Sequence, residues 1–192
     1  MTDTSIICGI DEAGRGPLAG PVCAAAVILG NDFPCDLLND SKELSEKKRD
    51  ELRQQICESA LAWGVGWADH TEIDSINILQ ATLLAMKRAF EEMEKRCAFT
   101  LDEKISVIID GIHVPQLNVP CKAIIKADAQ VAEVMAASIL AKTSRDSYMY
   151  EMAKLYPGYG YEKHKGYPTK AHRQLIKKYG HSPIQRMSFK SE

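Results

Sequence analysis

Asp11 and Glu12 are adjacent carboxylates at the end of the apolar run Ile6-Ile7-Cys8-Gly9-Ile10, and Gly14-Arg15-Gly16-Pro17 follows them. A buried strand that delivers two acids to its end holds negative charge rigidly, which suits a hard cation such as Mg²⁺ or Mn²⁺. The glycines flanking Arg15 let the backbone approach a ligand closely, and Arg15 offers phosphate a forked donor. Asp110 closes a second apolar run, Ile105-Ser106-Val107-Ile108-Ile109, and Asp128 follows a third, Cys121-Lys122-Ala123-Ile124-Ile125-Lys126. Each acid also has a plainer reading. Asp11-Glu12 fits a solvated turn, Asp110-Gly111 is a common turn pair, and Asp128 stands where a helix N-cap would stand. Capping and ligation can coexist at Asp128. Four converging carboxylates repel unless cations neutralise them. Two divalent ions in such a cluster can activate a water and stabilise the leaving oxygen of an in-line phosphoryl displacement. No Ser-His-Asp arrangement, Walker loop or dinucleotide fingerprint competes.

The cations are distributed unevenly. The formal net charge is −2, yet eight Lys or Arg residues and no acid fall between residues 163 and 190. An acidic body with a basic tail binds nucleic acid locally; a solvated basic helix is the plainer alternative. Lys142 and Arg145 lie three apart, on one helix face. They stand about 21 Å beyond Asp128 along a straight helix, too far to share its metal. At that distance they can hold a duplex backbone about six base steps away, or stand as two solvated cations. Lys42 sits in a loop before a helix, where an isolated lysine is ordinarily a surface residue. The breaker-rich run Tyr156-Pro157-Gly158-Tyr159-Gly160-Tyr161 leads into His164-Lys165-Gly166-Tyr167-Pro168-Thr169. Tyrosines among lysines and glycines suit stacking on a sugar or base beside a phosphate, and equally suit packing over a core.

These groups need a scaffold. A chain of 192 residues is expected to form one domain with an ample core, spanning residues 1–192 with a helical, basic part from about 156 to 192. No stretch reaches the length of a membrane span, and no secretory signal is visible. The six cysteines are scattered without metal-ligand spacing, as buried, reduced thiols of a cytoplasmic protein would be. Strands are expected at residues 6–10, 22–29, 63–68, 105–109 and 121–126, the first two as a hairpin-like pair. Helices are expected from a Ser45 cap to about residue 60, over 77–97, from 129 onward, and from a Thr169 cap to Gly180. Leu79, Leu83, Met86 and Phe90 form an apolar stripe read as core. The helix after Asp128 is apolar nearly all round, so it should be central and buried.

The stretch Gly9-Ile10-Asp11-Glu12-Ala13-Gly14-Arg15-Gly16-Pro17-Leu18-Ala19-Gly20-Pro21-Val22 resembles the N-terminal motif of bacterial type 2 ribonuclease H, ribonuclease HII. Asn39-Asp40-Ser41-Lys42, Ile109-Asp110-Gly111, Ala136-Ala137-Ser138-Ile139-Leu140-Ala141-Lys142 with Arg145-Asp146, and His164-Lys165-Gly166-Tyr167-Pro168-Thr169 match further motifs in the family's order. The resemblance implies an α/β, ribonuclease H-like fold: a central mixed sheet flanked by helices, with a helical C-terminal part. It implies an endonuclease that cuts RNA in RNA–DNA hybrids and 5′ of single ribonucleotides in duplex DNA, leaving a 3′-hydroxyl and a 5′-phosphate. It implies Asp11, Glu12, Asp110 and Asp128 as catalytic metal ligands for two Mn²⁺ or Mg²⁺ ions. Gly14, Arg15 and Gly16 would contact the ribose 2′-hydroxyl and nearby backbone, and Tyr167 would stack on the following sugar. Lys42, Lys142, Arg145 and Lys165 would bind phosphates. A cytoplasmic monomer is expected. Departures are Ala127 for a usual Gly, bulkier Val134-Met135 in an alanine-rich helix, and Met187 for a common Arg. Another metal-dependent nuclease of the same fold, such as a resolvase, and a non-catalytic hybrid-binding protein are the alternatives; intact Asp11 and Glu12 argue against the latter.

Overall fold

The computed structural model describes residues 6–38, 45–98 and 105–190. The first two apolar runs form β1 (Ile6–Ala13) and β2 (Val22–Ile28). They pair antiparallel, with Gly9 opposite Val27 and Ala13 opposite Cys23. β3 (Ala62–Ala68) adds antiparallel to β2. On the other side of β1, β4 (Ile105–Asp110) runs parallel to it, and β5 (Cys121–Ile124) runs parallel to β4. The order β3-β2-β1-β4-β5 is a mixed sheet with β1 at its centre.

Both faces of the sheet are covered, which explains the unbroken apolar run of β2. Val22, Ala24, Ala26 and Ile28 pack with α2 (His70–Glu94). Cys23, Ala25 and Val27 pack with α1 (Glu46–Ser59) and α3 (Ala132–Leu155). α3 rests on the backbone of β1 itself: a Cβ on Gly9 would lie 2.2 Å from the Glu133 carbonyl carbon. That close approach fixes α3 against the strand that carries Asp11.

Ser45 caps α1 as expected, accepting the Lys48 N–H at 3.4 Å. α2 begins seven residues earlier than the apolar stripe suggests. Its start is a capping box in which Asp69 and Glu72 satisfy each other's backbone N–H groups. Asn77, where the sequence places the helix start, is a break inside it with φ 67°. Its side chain caps the second segment, accepting the Leu79 and Gln80 N–H groups at 3.0 and 3.2 Å. α3 begins later than expected, and Asp128 is not its N-cap. Lys126 turns the chain through a left-handed conformation, φ 58°, into a single 3₁₀ turn, Ala127–Ala129. Val131 then opens the helix without a side-chain cap.

The chain ends with α4 (Tyr161–His164) and α5 (Lys170–Tyr179). Thr169 caps α5 by accepting the His172 N–H at 3.2 Å, and Gly180 ends it. All six cysteines are free thiols. Cys8 and Cys23 are buried as expected, but Cys35 is exposed. Among the described residues no helix is long and apolar enough to cross a membrane.

Candidate active site

Asp11 and Glu12 lie inside β1, not beyond it, so alternation sends their side chains to opposite faces. Cys8 and Ile10 pack on the α2 side, which turns Gly9 and Asp11 toward α3. Asp110, one residue after the α2-facing Ile109, shares Asp11's side. One carboxylate oxygen from each of Asp11, Asp110 and Asp128 lies within 4.8 Å of the others. Asp110 also braces the 3₁₀ turn that carries Asp128: its Oδ1 accepts the Ala127 N–H at 2.8 Å. Glu12 stands apart from the three-acid group. Its Oε1 pairs with Arg15 Nη1 at 3.2 Å.

Asp11 is only 6% exposed. Burial first, and the neighbouring Glu12 charge second, push its carboxyl up to about 8, against hydrogen bonds from Ser138 and the Glu12 N–H. Burial also raises Glu12, opposed by Arg15. Hard oxygen donors so close together, one of them held protonated near neutrality, fit a divalent cation of the Mg²⁺ or Mn²⁺ type. That ion would offset the repulsion among the carboxylates. A cleft of about 230 Å³ opens beside them, lined by Glu12, Arg15 and Asp110 and by Leu79, Leu83 and Met86. Leu79 and Leu83, read as core from the sequence, are half-buried and form the cleft's apolar wall.

Arg15 and Gly16 are exposed on the turn after β1. Gly14 is buried beneath it with φ 98°, and a Cβ there would lie 2.0 Å from Arg145 Nε. Its lack of a side chain therefore serves a contact from below, while Gly16 keeps the outer surface open. A Cβ on Gly16 would meet only the Tyr167 ring, at 3.8 Å. Tyr167 is 37% exposed and lies between this turn and α3. Lys142 Nζ is 5.8 Å from its ring centroid and pairs with Asp146 at 2.9 Å. Lys165 is turned away: its ammonium lies 3.7 Å from the Tyr150 ring centroid and donates to the Glu162 carbonyl. Lys42 lies outside the described residues.

Arg145, expected to face a duplex, is 1% exposed. It donates to the Pro21, Lys165 and Ala19 carbonyls at 3.0, 3.1 and 3.3 Å. Arg186, counted in the basic tail, is fully buried as well. It donates to the Gly20, Arg15 and Gly14 carbonyls at 2.8, 3.0 and 2.6 Å. Burial, then the Arg145 charge, pull Arg186 down to about 9. His172 is a further residue the sequence reading missed. Its Nδ1–H donates to the Tyr167 carbonyl at 3.0 Å, and burial pulls its pKa down to about 4. It stacks on His164, whose Nδ1 accepts the Gly166 N–H at 3.2 Å. Together they hold the loop in which Lys165 and Gly166 have φ 50° and 83°. One signal for the buried cations was present: Arg186 sits in a stretch with Ile184 and Phe189 rather than among other charges.

The Ribonuclease HII family model matches residues 8–192. A Ribonuclease HII from Treponema denticola is 54% identical, covering 96% of this chain and 98% of that protein. One from Dechloromonas aromatica is 52% identical, over 98% of this chain and 93% of that protein. Among solved structures, the ribonuclease H2 of Pyrococcus horikoshii superposes with a TM-score of 0.72 at 25% identity, over 96% of this chain and 94% of that one. The mixed sheet with its flanking helices is the ribonuclease H-like fold expected from the motifs. With near-complete coverage at half identity, the chain belongs to the ribonuclease HII family, whose members are type 2 ribonuclease H endonucleases.

Proposed function

We propose that this enzyme cuts RNA in RNA–DNA hybrids, and cuts 5′ of a single ribonucleotide in duplex DNA, leaving a 3′-hydroxyl and a 5′-phosphate. The observation that carries the reading is the meeting of an acid cluster built on buried Asp11 with an open Gly-Arg-Gly turn and a half-exposed tyrosine at one end of β1. Asp11, Asp110 and Asp128 would hold divalent ions of the Mg²⁺ or Mn²⁺ type, with Glu12 joining them when Arg15 releases it. Such ions, when bound, activate the attacking water and stabilise the leaving oxygen.

The remaining work falls to the chain's own groups. Arg15 exchanges Glu12 for a substrate phosphate, which its forked donor suits. The backbone of Gly14, Arg15 and Gly16 approaches the ribose 2′-hydroxyl, the group that distinguishes RNA from DNA. Tyr167 stacks on the next sugar, where a second 2′-hydroxyl would crowd it, so the site reads ribose followed by deoxyribose. Lys142, beside Tyr167, takes a phosphate, and Lys42 and Lys165 remain phosphate candidates. Arg145 serves the scaffold instead. We infer a monomer, and six free thiols suit the reducing cytoplasm.

Four duplexes test the reading with Mg²⁺, with Mn²⁺ and with chelator: all DNA, one ribonucleotide, a short ribonucleotide run, and a full hybrid strand. Metal-dependent cleavage of the last three is expected, with the single-ribonucleotide duplex cut just 5′ of the ribose. Tyr167→Ala should lower cleavage of that duplex by about tenfold, the scale of one lost stacking contact. Lys170→Ala should lower it far less. A single-ribonucleotide duplex left intact while runs are cut would refute the junction reading.

A further inference from the structure

Two guanidiniums are buried between the Gly14–Gly16 turn and the Tyr167 loop, and their hydrogen bonds all go to backbone carbonyls. Burying two neighbouring like charges is costly, so the contacts they make need a reason beyond filling space. The direction of those contacts supplies one. Arg186 draws the Gly14 and Arg15 carbonyls inward, at 2.6 and 3.0 Å. The chain has no cis peptide bond among its described residues. In a planar trans peptide the N–H points opposite to the carbonyl. The N–H groups of Arg15 and Gly16 are therefore turned outward, on the exposed side of the turn. Among the described residues neither donates to another group of the chain. A carbonyl that accepts from a cation also makes its own peptide N–H a stronger donor.

The same two arginines join this turn to the tyrosine loop. Arg145 binds the Ala19 and Pro21 carbonyls on one side and the Lys165 carbonyl on the other. Backbone bonds complete the join: Leu18 N–H donates to the Gly166 carbonyl, and Arg186 N–H to the Leu18 carbonyl, each at 2.8 Å. Asp74 anchors the segment just after Arg186, accepting the Met187 and Ser188 N–H groups at 2.8 and 2.9 Å.

We propose that Arg186, backed by Arg145, is the positioning residue for ribose selectivity: it aims and polarises the two outward N–H groups of the turn toward a 2′-hydroxyl. This rests on the reading of the turn given under Proposed function. Arg186 touches no substrate in this account. Its effect passes through two peptide groups, so it should appear in discrimination rather than in general affinity for duplex.

The test measures binding of two duplexes of one sequence, all DNA and with a single ribonucleotide. The Asp110→Asn background keeps both intact. Arg186→Lys retains a charge and loses the fork that spans two carbonyls. The ratio of the two dissociation constants should fall by about tenfold, the scale of one misdirected hydrogen bond. Affinity for all-DNA duplex should stay within about twofold, because phosphate contacts dominate it. An unchanged ratio in folded Arg186→Lys, or equal loss for both duplexes, would overturn the proposal. If that variant fails to fold, Asp74→Ala decides: it loosens the segment after Arg186 and removes a negative charge near it, while both arginines keep their side chains. A smaller fall in the ratio, about threefold, is then expected, and an unchanged ratio overturns the proposal. If the Asp110→Asn enzyme with Arg186 intact shows no preference for the ribonucleotide duplex, the reading of the turn itself fails. Preference there, with no change in the variants, brings down the role of Arg186 alone.

Discussion

The molecule gathers like charges in two places and treats them in opposite ways. Around Asp11, Asp110 and Asp128, negative charges converge, and one carboxyl is pushed up to about 8. Around Arg145 and Arg186, positive charges converge, and six carbonyl bonds hold them. The acid cluster gathers carboxylate oxygens at a spacing that fits a divalent cation. The arginine pair is satisfied within the chain and acts on its shape. Buried charge alone therefore does not mark a catalytic site. What separates the two is the kind of group each gathers: carboxylate oxygens spaced for a cation in one, guanidiniums bonded to backbone carbonyls in the other.

The largest expected effect lies in the acid cluster. Asp110→Asn should cut cleavage by at least about a thousandfold, at or beyond the loss of a single transition-state donor. Binding of duplex should change little, since cations elsewhere carry it. Single-turnover cleavage and a binding titration on one preparation separate the two. Comparable losses in both would mean that Asp110 chiefly holds the Ala127 turn through its 2.8 Å bond.

Removing one charge from each cluster should move stability in opposite directions. Arg145→Met leaves the Pro21, Lys165 and Ala19 carbonyls without their donor and should cost about 3 kcal/mol. Asp11→Asn, measured in chelator, relieves repulsion and should raise stability by about 1 kcal/mol at pH 8. Asp11's carboxyl is raised in the fold, so its stabilising contribution is complete at low pH and is lost as pH rises toward about 8. The gain from Asp11→Asn should accordingly shrink toward pH 4. Urea unfolding of both variants reads the two signs, and two losses would erase the contrast.

Much of this was legible in the sequence, and what was not has a physical cause. The acids stood at the ends of apolar runs, and those runs, with the alternation of residues 63–68, located all five strands. The opposite facing of Asp11 and Glu12 followed from the same period, but only once Glu12 was known to lie within β1 rather than after it. α2 was half visible: its apolar stripe begins at Leu79, in the segment that Asn77 opens, while the first segment is set by the Asp69–Glu72 capping box and buries only Ile73. Arg145 and Arg186 misled most. A cation's partners are normally sought among acids, and these partners are carbonyls, five of the six lying 124 to 172 residues away in the chain, which leave no pattern of side chains. Asp128 read as a cap because sequence cannot show that Lys126 adopts a left-handed turn first.

The smallest expected effect concerns the loop that carries Tyr167. His172 is held neutral, its pKa lowered from 6.5 to about 4 chiefly by burial. The unfolded chain binds that proton first, so His172 lowers stability as pH falls from about 6.5 to about 4. His172→Asn keeps a donor for the Tyr167 carbonyl and removes the titration. The melting-temperature difference, variant minus unaltered protein, should rise steadily across that interval. A flat difference would mean His172 is not buried neutral.

The contrast between the clusters is tested most directly by calorimetric titration with Mn²⁺ at pH 7, repeated in buffers of different ionisation enthalpy. A cation entering the acid cluster must displace the proton held on Asp11. Saturable binding with release of a substantial fraction of a proton is expected, both lost or sharply reduced in Asp11→Asn and unchanged in Lys170→Ala. Binding without proton release, or equal binding by Asp11→Asn, would contradict it.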